Sequence, residues 1–254
     1  MISNRAHRLK RTMRLATLTL GISVFVLIAG NSSGDALSPP SFKIITVKNL
    51  TDEAKVESLL ESFSDPADSK SRYKVGSIEK QQDGKERLMV KGRNVFEGYN
   101  LSQASSSSDG TIAVSSYSDL RHQIDGDGSD PVFDSKTGKL AAAISSVWII
   151  DPSGVKHQVT PDTMHAAYPV LSRNGQWLAF SGQTLSEKGI SGKKQVYVVS
   201  LQNGIASAPV SLELPSKGEI IPVKWDNDKL VVLTTEDENS SSYQLTWIQV
   251  RPGQ

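Results

Sequence analysis

Several stretches of the chain place apolar side chains at consecutive positions, bracketed by short polar turns. Examples are Val147-Trp148-Ile149-Ile150, Trp177-Leu178-Ala179-Phe180, Val196-Tyr197-Val198-Val199 and Leu230-Val231-Val232. Runs this short, rich in β-branched and aromatic residues, read as strands. Lack of alternation means that both faces of each strand are covered. Turn signals stand between them at Asp109-Gly110, Thr137-Gly138, Ser153-Gly154, Asn174-Gly175 and Asn203-Gly204. The Asp-Gly and Asn-Gly pairs predict two-residue type I′ turns, in which both central residues need positive φ. Upstream, Phe42 to Val47 reads as a strand and Lys74 to Lys91 as a hairpin around Asp83-Gly84. One segment has a different period. Val56, Leu59, Leu60 and Phe63 recur on one helical face, Thr51 is the expected N-cap, and Ser64-Asp65-Pro66 ends the helix.

From about residue 95 the strand–turn–strand unit repeats. Pro169-Val170-Leu171-Ser172-Arg173-Asn174-Gly175 leads into Trp177-Leu178-Ala179-Phe180. Similar strings run from Pro131 to Ala142 and from Pro222 to Val232, and a weaker one from Ser105 to Val114. Lys194 to Gly204 adds a third strand with its own turn. A single such unit cannot bury both of its faces, so the copies must stack. These motifs resemble the PD40 (WD40-like) repeats of TolB-like β-propellers over residues 95–250, best at His165–Gly204. The fold expected is therefore all-β, a TolB-like β-propeller of four to five short or irregular blades, closed or incomplete. An antiparallel sandwich is the rival reading. The turn glycines Gly110, Gly138 and Gly175 are 28 and 37 residues apart, short of the ~40–45 residues of a regular blade. An incomplete array exposes strand edges, which favours self-association or completion by a partner.

The N-terminus has another character. Arg5, Arg8, Lys10, Arg11 and Arg14 precede an uncharged apolar stretch, Leu15 to Gly30, and then small polar residues. This order is that of a secretory signal, cleaved after a small residue or retained as an anchor. The domain layout expected is 1–36 as signal peptide or membrane anchor, 37–94 as a linker with a small strand–helix–hairpin segment, and 95–254 as the repeat domain. An N-terminal targeting or anchor helix and a small αβ segment thus precede the propeller. The location expected is extracytoplasmic, periplasmic or secreted, with membrane contact only through residues 15–30 if they are uncleaved. Removing the five basic residues and one acid of this region from totals of 28 and 27 leaves 23 against 26. A folded part with a slight acidic excess argues against nucleic acid as a partner. The chain has no cysteine, which rules out disulfides, thiol catalysis and a lipid anchor on Cys.

Candidate chemistry is sparse. No G-x-S-x-G elbow is present, and Ser105–Ser108 reads as a turn. The histidines past the N-terminal segment, His122, His157 and His165, lack metal-ligand spacing. Asp125, Asp127 and Ser129 alternate oxygens as a calcium loop does. Asp130 stands where the sharp-turn glycine belongs, however, and Lys136 where the closing Glu belongs. They form a weak cation site or an acidic interblade turn. Gly189 to Lys194 departs from a phosphate loop at both ends. No cofactor is implied. Two functions fit. One is a non-enzymatic cell-envelope module that binds a protein, as the TolB-like resemblance implies. The other is a glycan- or small-molecule-handling propeller, a lyase or hydrolase with a channel site.

Overall fold

Residues 40–50, 75–102, 104–117, 144–186, 189–190, 193–202, 205–216, 218–236 and 242–252 are described by a computed structural model. The regular elements among them are all strands. The first, β1 (Ser41–Leu50), joins the last sheet. β2 (Ser77–Lys80), β3 (Glu86–Val90) and β4 (Arg93–Gly98) make a three-stranded first sheet. β5 (Ser105–Ser106), β6 (Ile112–Tyr117), β7 (Ser145–Ile150) and β8 (Lys156–Gln158) make the second. The third is β9 (Met164–Leu171), β10 (Trp177–Ser186), β12 (Gln195–Gln202) and β14 (Val210–Leu212). Two short strands, β11 (Gly189–Ile190) and β13 (Ile205–Ala206), prolong its hairpins. The fourth is β15 (Ile220–Asp226), β16 (Lys229–Thr235) and β17 (Tyr243–Arg251), completed by β1 as its outermost strand. All pairing is antiparallel between neighbours. The architecture is thus an all-β, propeller-type succession of up-and-down sheets.

The apolar runs explain the stacking. Along β10, Trp177 and Ala179 face the fourth sheet while Leu178 and Phe180 face the second. Along β12, Val196 and Val198 face one way and Tyr197 and Val199 the other. β6 and β7 divide in the same manner, with Ala113, Val147 and Ile149 toward the third sheet and Val114 and Ile150 toward the first. Each interior strand is buried on both faces, so alternation is lost. A further cluster, Val223, Val231, Leu233 and Leu245, lies on the other face of the fourth sheet. Among the described residues no hydrophobic cluster joins the first sheet to the fourth.

The turns differ from the two-residue type expected. Gly175 has φ +71° and Gly110 φ +93°, but Asn174 and Asp109 are not at positive φ. In the third sheet the turn is wider, with Gly175 N–H donating to the Ser172 carbonyl and Ser172 N–H to that of Trp177. Side chains fix it. Asn174 Oδ1 accepts from the Ser172 hydroxyl and from Gln176 N–H, at 2.7 and 3.1 Å. The second sheet repeats this with Asp109 Oδ1, the Ser107 hydroxyl (2.5 Å) and Thr111 N–H (3.0 Å). An Asx side chain that satisfies the turn's own donors competes successfully with the tighter turn.

The first strands of the third and fourth sheets share one irregularity. In β9, Ala167 opposes Ser181 and Val170 opposes Ala179, so Tyr168 and Pro169 together face Phe180. In β15, Pro222 opposes Val232 and Lys224 opposes Val231, which leaves Val223 extra. Proline has no N–H to give a ladder, and a bulge is where a strand accommodates it.

The helix at Val56–Phe63, the repeat copy Pro131–Ala142, the Asn203-Gly204 turn and the N-terminal targeting segment lie outside the described residues.

Candidate functional site

Three turns that follow the first strands of successive sheets meet at one end of the sheet stack. They are Ser107–Gly110 after β5, Ser172–Gly175 after β9 and Asp226-Asn227 at the hairpin end of β15. They surround a cavity of about 660 Å³ lined by Ser106–Ser108, Leu171, Arg173, Trp225, Asp226 and Asn227. These are equivalent positions of successive repeats, so stacking the repeats brings them together.

Hydrogen bonds between sheets hold the turns in place. Ser108 N–H donates to the Arg173 carbonyl at 2.7 Å, joining the second and third sheets through their turns. Just below, Leu171 N–H donates to Ser105 Oγ at 3.0 Å. Trp225 Nε1–H donates to the Val170 carbonyl at 2.9 Å, tying the fourth sheet to the third. Trp225 is 5% exposed and forms the floor with buried Leu171. Arg173, Asp226 and Asn227 are exposed at the rim. Asn227 takes positive φ, +58°, which asparagine tolerates better than most residues. The Ser107 hydroxyl, with the Thr111 amide, holds the Asp109 carboxyl below the ordinary carboxylate range. Asp109 therefore stays an anion and a turn acceptor. Charges of both signs at the rim over an apolar floor suit recognition.

The structure separates the other residues singled out from the sequence. Asp125, Asp127 and Ser129 lie outside the described residues. Among the described residues no group of three or more His, Asp or Glu side chains is placed to hold a metal ion. His157 is exposed on β8. His165, on β9, accepts from Ser145 N–H at Nδ1 (3.3 Å) and lies 5.7 Å from the Tyr117 ring. Ser105–Ser108, expected to be a turn throughout, divides instead: Ser105-Ser106 form β5 and Ser107-Ser108 lead into the turn. At the end of the glycine-containing segment, Lys194 pairs with Glu219 at 2.7 Å and Lys193 Nζ donates to the Leu214 carbonyl. Arg173, Trp225 and Asn227 were not singled out. Their signal was positional: each sits in or beside the turn of a repeat, and equivalent turns of stacked repeats share one end.

Neither a protein-family model nor a curated protein matches the chain. Among solved structures, TolB from Acinetobacter baumannii aligns with 69% of this chain and 44% of its own length, at 13% identity and a TM-score of 0.33. The chain thus spans less than half of that protein. A protein assigned as a gluconolactonase aligns with 70% of this chain and 75% of its own, at 9% identity and a TM-score of 0.27. These are likenesses of strand arrangement, and the chemistry of the cavity rests on its own residues.

Proposed function

We propose that the chain is a non-enzymatic protein-interaction module of the cell envelope. In this reading residues 1–36 export or anchor it, and residues 37–94 complete the repeat region 95–254. The partner is held at the cavity between the three turns. One observation carries the reading: the turns converge to set an arginine and an Asp-Asn pair around a buried tryptophan floor. Interfaces concentrate binding energy on exposed anchors such as Arg173 within a polar rim that excludes water, and the buried Trp225 gives the cavity a rigid apolar floor. The shape is fixed by hydrogen bonds between sheets, so little ordering is needed when a partner binds.

The test is photo-cross-linking of the full chain in the cells that make it, with a benzophenone residue at Asn227 and, as control, at Val155, which is 51% exposed elsewhere. The expected result is a discrete protein adduct from Asn227 alone, lost on Arg173→Glu. Equal adducts at both positions, or none at Asn227, would overturn the site. Recovery of the chain only in the cytoplasm would overturn export.

A further inference from the structure

A second concavity lies away from the turns, between the first and second sheets, with a volume of about 400 Å³. That is within the range of small-molecule clefts, about 300–1,000 Å³. Its apolar wall is aromatic. Trp148 is half-buried, and its ring lies 5.7 Å from that of buried Phe96, tilted by 54°. Tyr99 and Tyr117, joined by a backbone bridge, continue the wall. Burial pushes the Tyr117 hydroxyl above its ordinary value, so it remains a neutral donor and acceptor.

The polar wall is built from Gln158 and Asp162. Gln158 Nε2 donates to the Thr160 carbonyl at 2.8 Å and to Asp162 Oδ1 at 2.9 Å. Both amide hydrogens are thereby used. What remains is a fixed pair of acceptors, Gln158 Oε1 and the second carboxylate oxygen of Asp162. Two acceptors beside an aromatic wall call for a flat ligand with adjacent donors, either a cation or a diol. Local charge decides between them. Glu97 is already paired with Lys85 (3.5 Å) and Arg87 (3.1 Å). Lys156 Nζ stands 5.3 Å from the centre of the Phe96 ring. With Lys85 in the lining and Arg87 and Lys156 beside Glu97 and Phe96, the two lining carboxylates are offset, and the cleft has no excess of negative charge to hold a cationic guest.

We propose that this cleft binds a neutral glycan. A pyranose ring stacks on Trp148, and two vicinal hydroxyls donate to Gln158 Oε1 and Asp162. The site is distinct from the turn-lined cavity and does not depend on its reading.

The test is calorimetric titration of the purified full chain with maltotriose, cellotriose and tri-N-acetylchitotriose, each to roughly 20 mM, which suffices for the millimolar affinities expected of an exposed cleft. At least one sugar should bind saturably. Trp148→Ala should weaken it at least about tenfold, and Trp148→Phe less. Because Trp148 also packs on Phe96, exposed Asp162→Ala is the second arm, with a loss of similar size and an unchanged melting temperature. Ile205→Ala, exposed on β13 and in neither cavity, should leave binding as it was. Failure of all three sugars to bind would overturn the proposal. So would binding insensitive to Asp162→Ala. Saturable binding of tetramethylammonium or arginine methyl ester, lost on the same substitutions, would make the cleft a cation site instead.

Discussion

Phe180→Ala tests the stacking of sheets most directly. Phe180 is fully buried on β10, on the face toward the second sheet. Its ring lies 5.7 Å from that of Tyr197, nearly parallel at 13°. Truncation removes roughly 150 Å² of apolar surface, which at about 25 cal/mol per Å² is near 4 kcal/mol. Loss of the ring pair adds about 0.5–1.5 kcal/mol. Partial collapse recovers some of this, and measured Phe→Ala costs of about 3–5 kcal/mol bracket the sum. The neighbours limit that collapse, because a Cβ at Gly182 would come within 2.9 Å of the Tyr197 ring. Tyr197 is already close against the backbone on that side. Urea unfolding followed by tryptophan fluorescence reads the effect, since Trp177 and Trp225 are both 5% exposed. A fall of about 3–5 kcal/mol should shift the midpoint with an unchanged slope. Phe180→Leu should lose much less, as it retains most of the volume. A cost below about 1 kcal/mol for Phe180→Ala would mean that β10 is not enclosed between two sheets, and the stacking argument would fail.

Other outcomes follow from the turns and the acidic cluster. Gly175→Ala should destabilise by about 1–2 kcal/mol, because Gly175 has φ +71° and a Cβ there would sit 3.1 Å from Asp109 Oδ2. Gly154→Ala, at φ +92° with open space around it, should cost less in the same thermal melts, and equal costs would remove the contact between turns from the account. Asp109→Asn should lower stability by less than about 1 kcal/mol at pH 7, since the carboxyl is largely solvated. A carboxyl held below its ordinary value stabilises the fold above the unfolded value of about 4 and loses that effect as pH falls through the folded value. The gap between wild type and variant should therefore close below about pH 4, and a gap constant down to pH 3 would contradict the assignment. Chelation should leave the melting temperature unchanged, because Asp125, Asp127 and Ser129 are not followed by the ligands that close a calcium cage. A calcium-dependent rise of several degrees would refute this.

Much of the fold was legible because its signals are local. Trp177-Leu178-Ala179-Phe180 is apolar at every position, and with a side-chain period of two only burial on both faces accounts for it. Hairpins such as β9–β10 and β15–β16 join neighbours in the chain, so their turn residues announced them. The form of the turn was not legible. Asn174-Gly175 suits a type I′ turn by propensity, and the Ser172 hydroxyl that widens it acts through a hydrogen bond that composition does not display. Pairing between distant segments was hidden for a related reason. Phe42 to Val47 read as a strand, but nothing in those residues names its neighbour, and Ser41 pairs with Arg251 at the opposite end of the chain. Strand propensity describes how well a residue fits a pleated surface, not which strand lies beside it. The candidate sites belong to the tertiary structure for the same reason. Arg173 and Trp225 come from different sheets, as do Glu97 and Trp148. Each pair becomes adjacent only when buried faces stack, and that stacking depends on burial summed over whole sheets rather than on any local pattern.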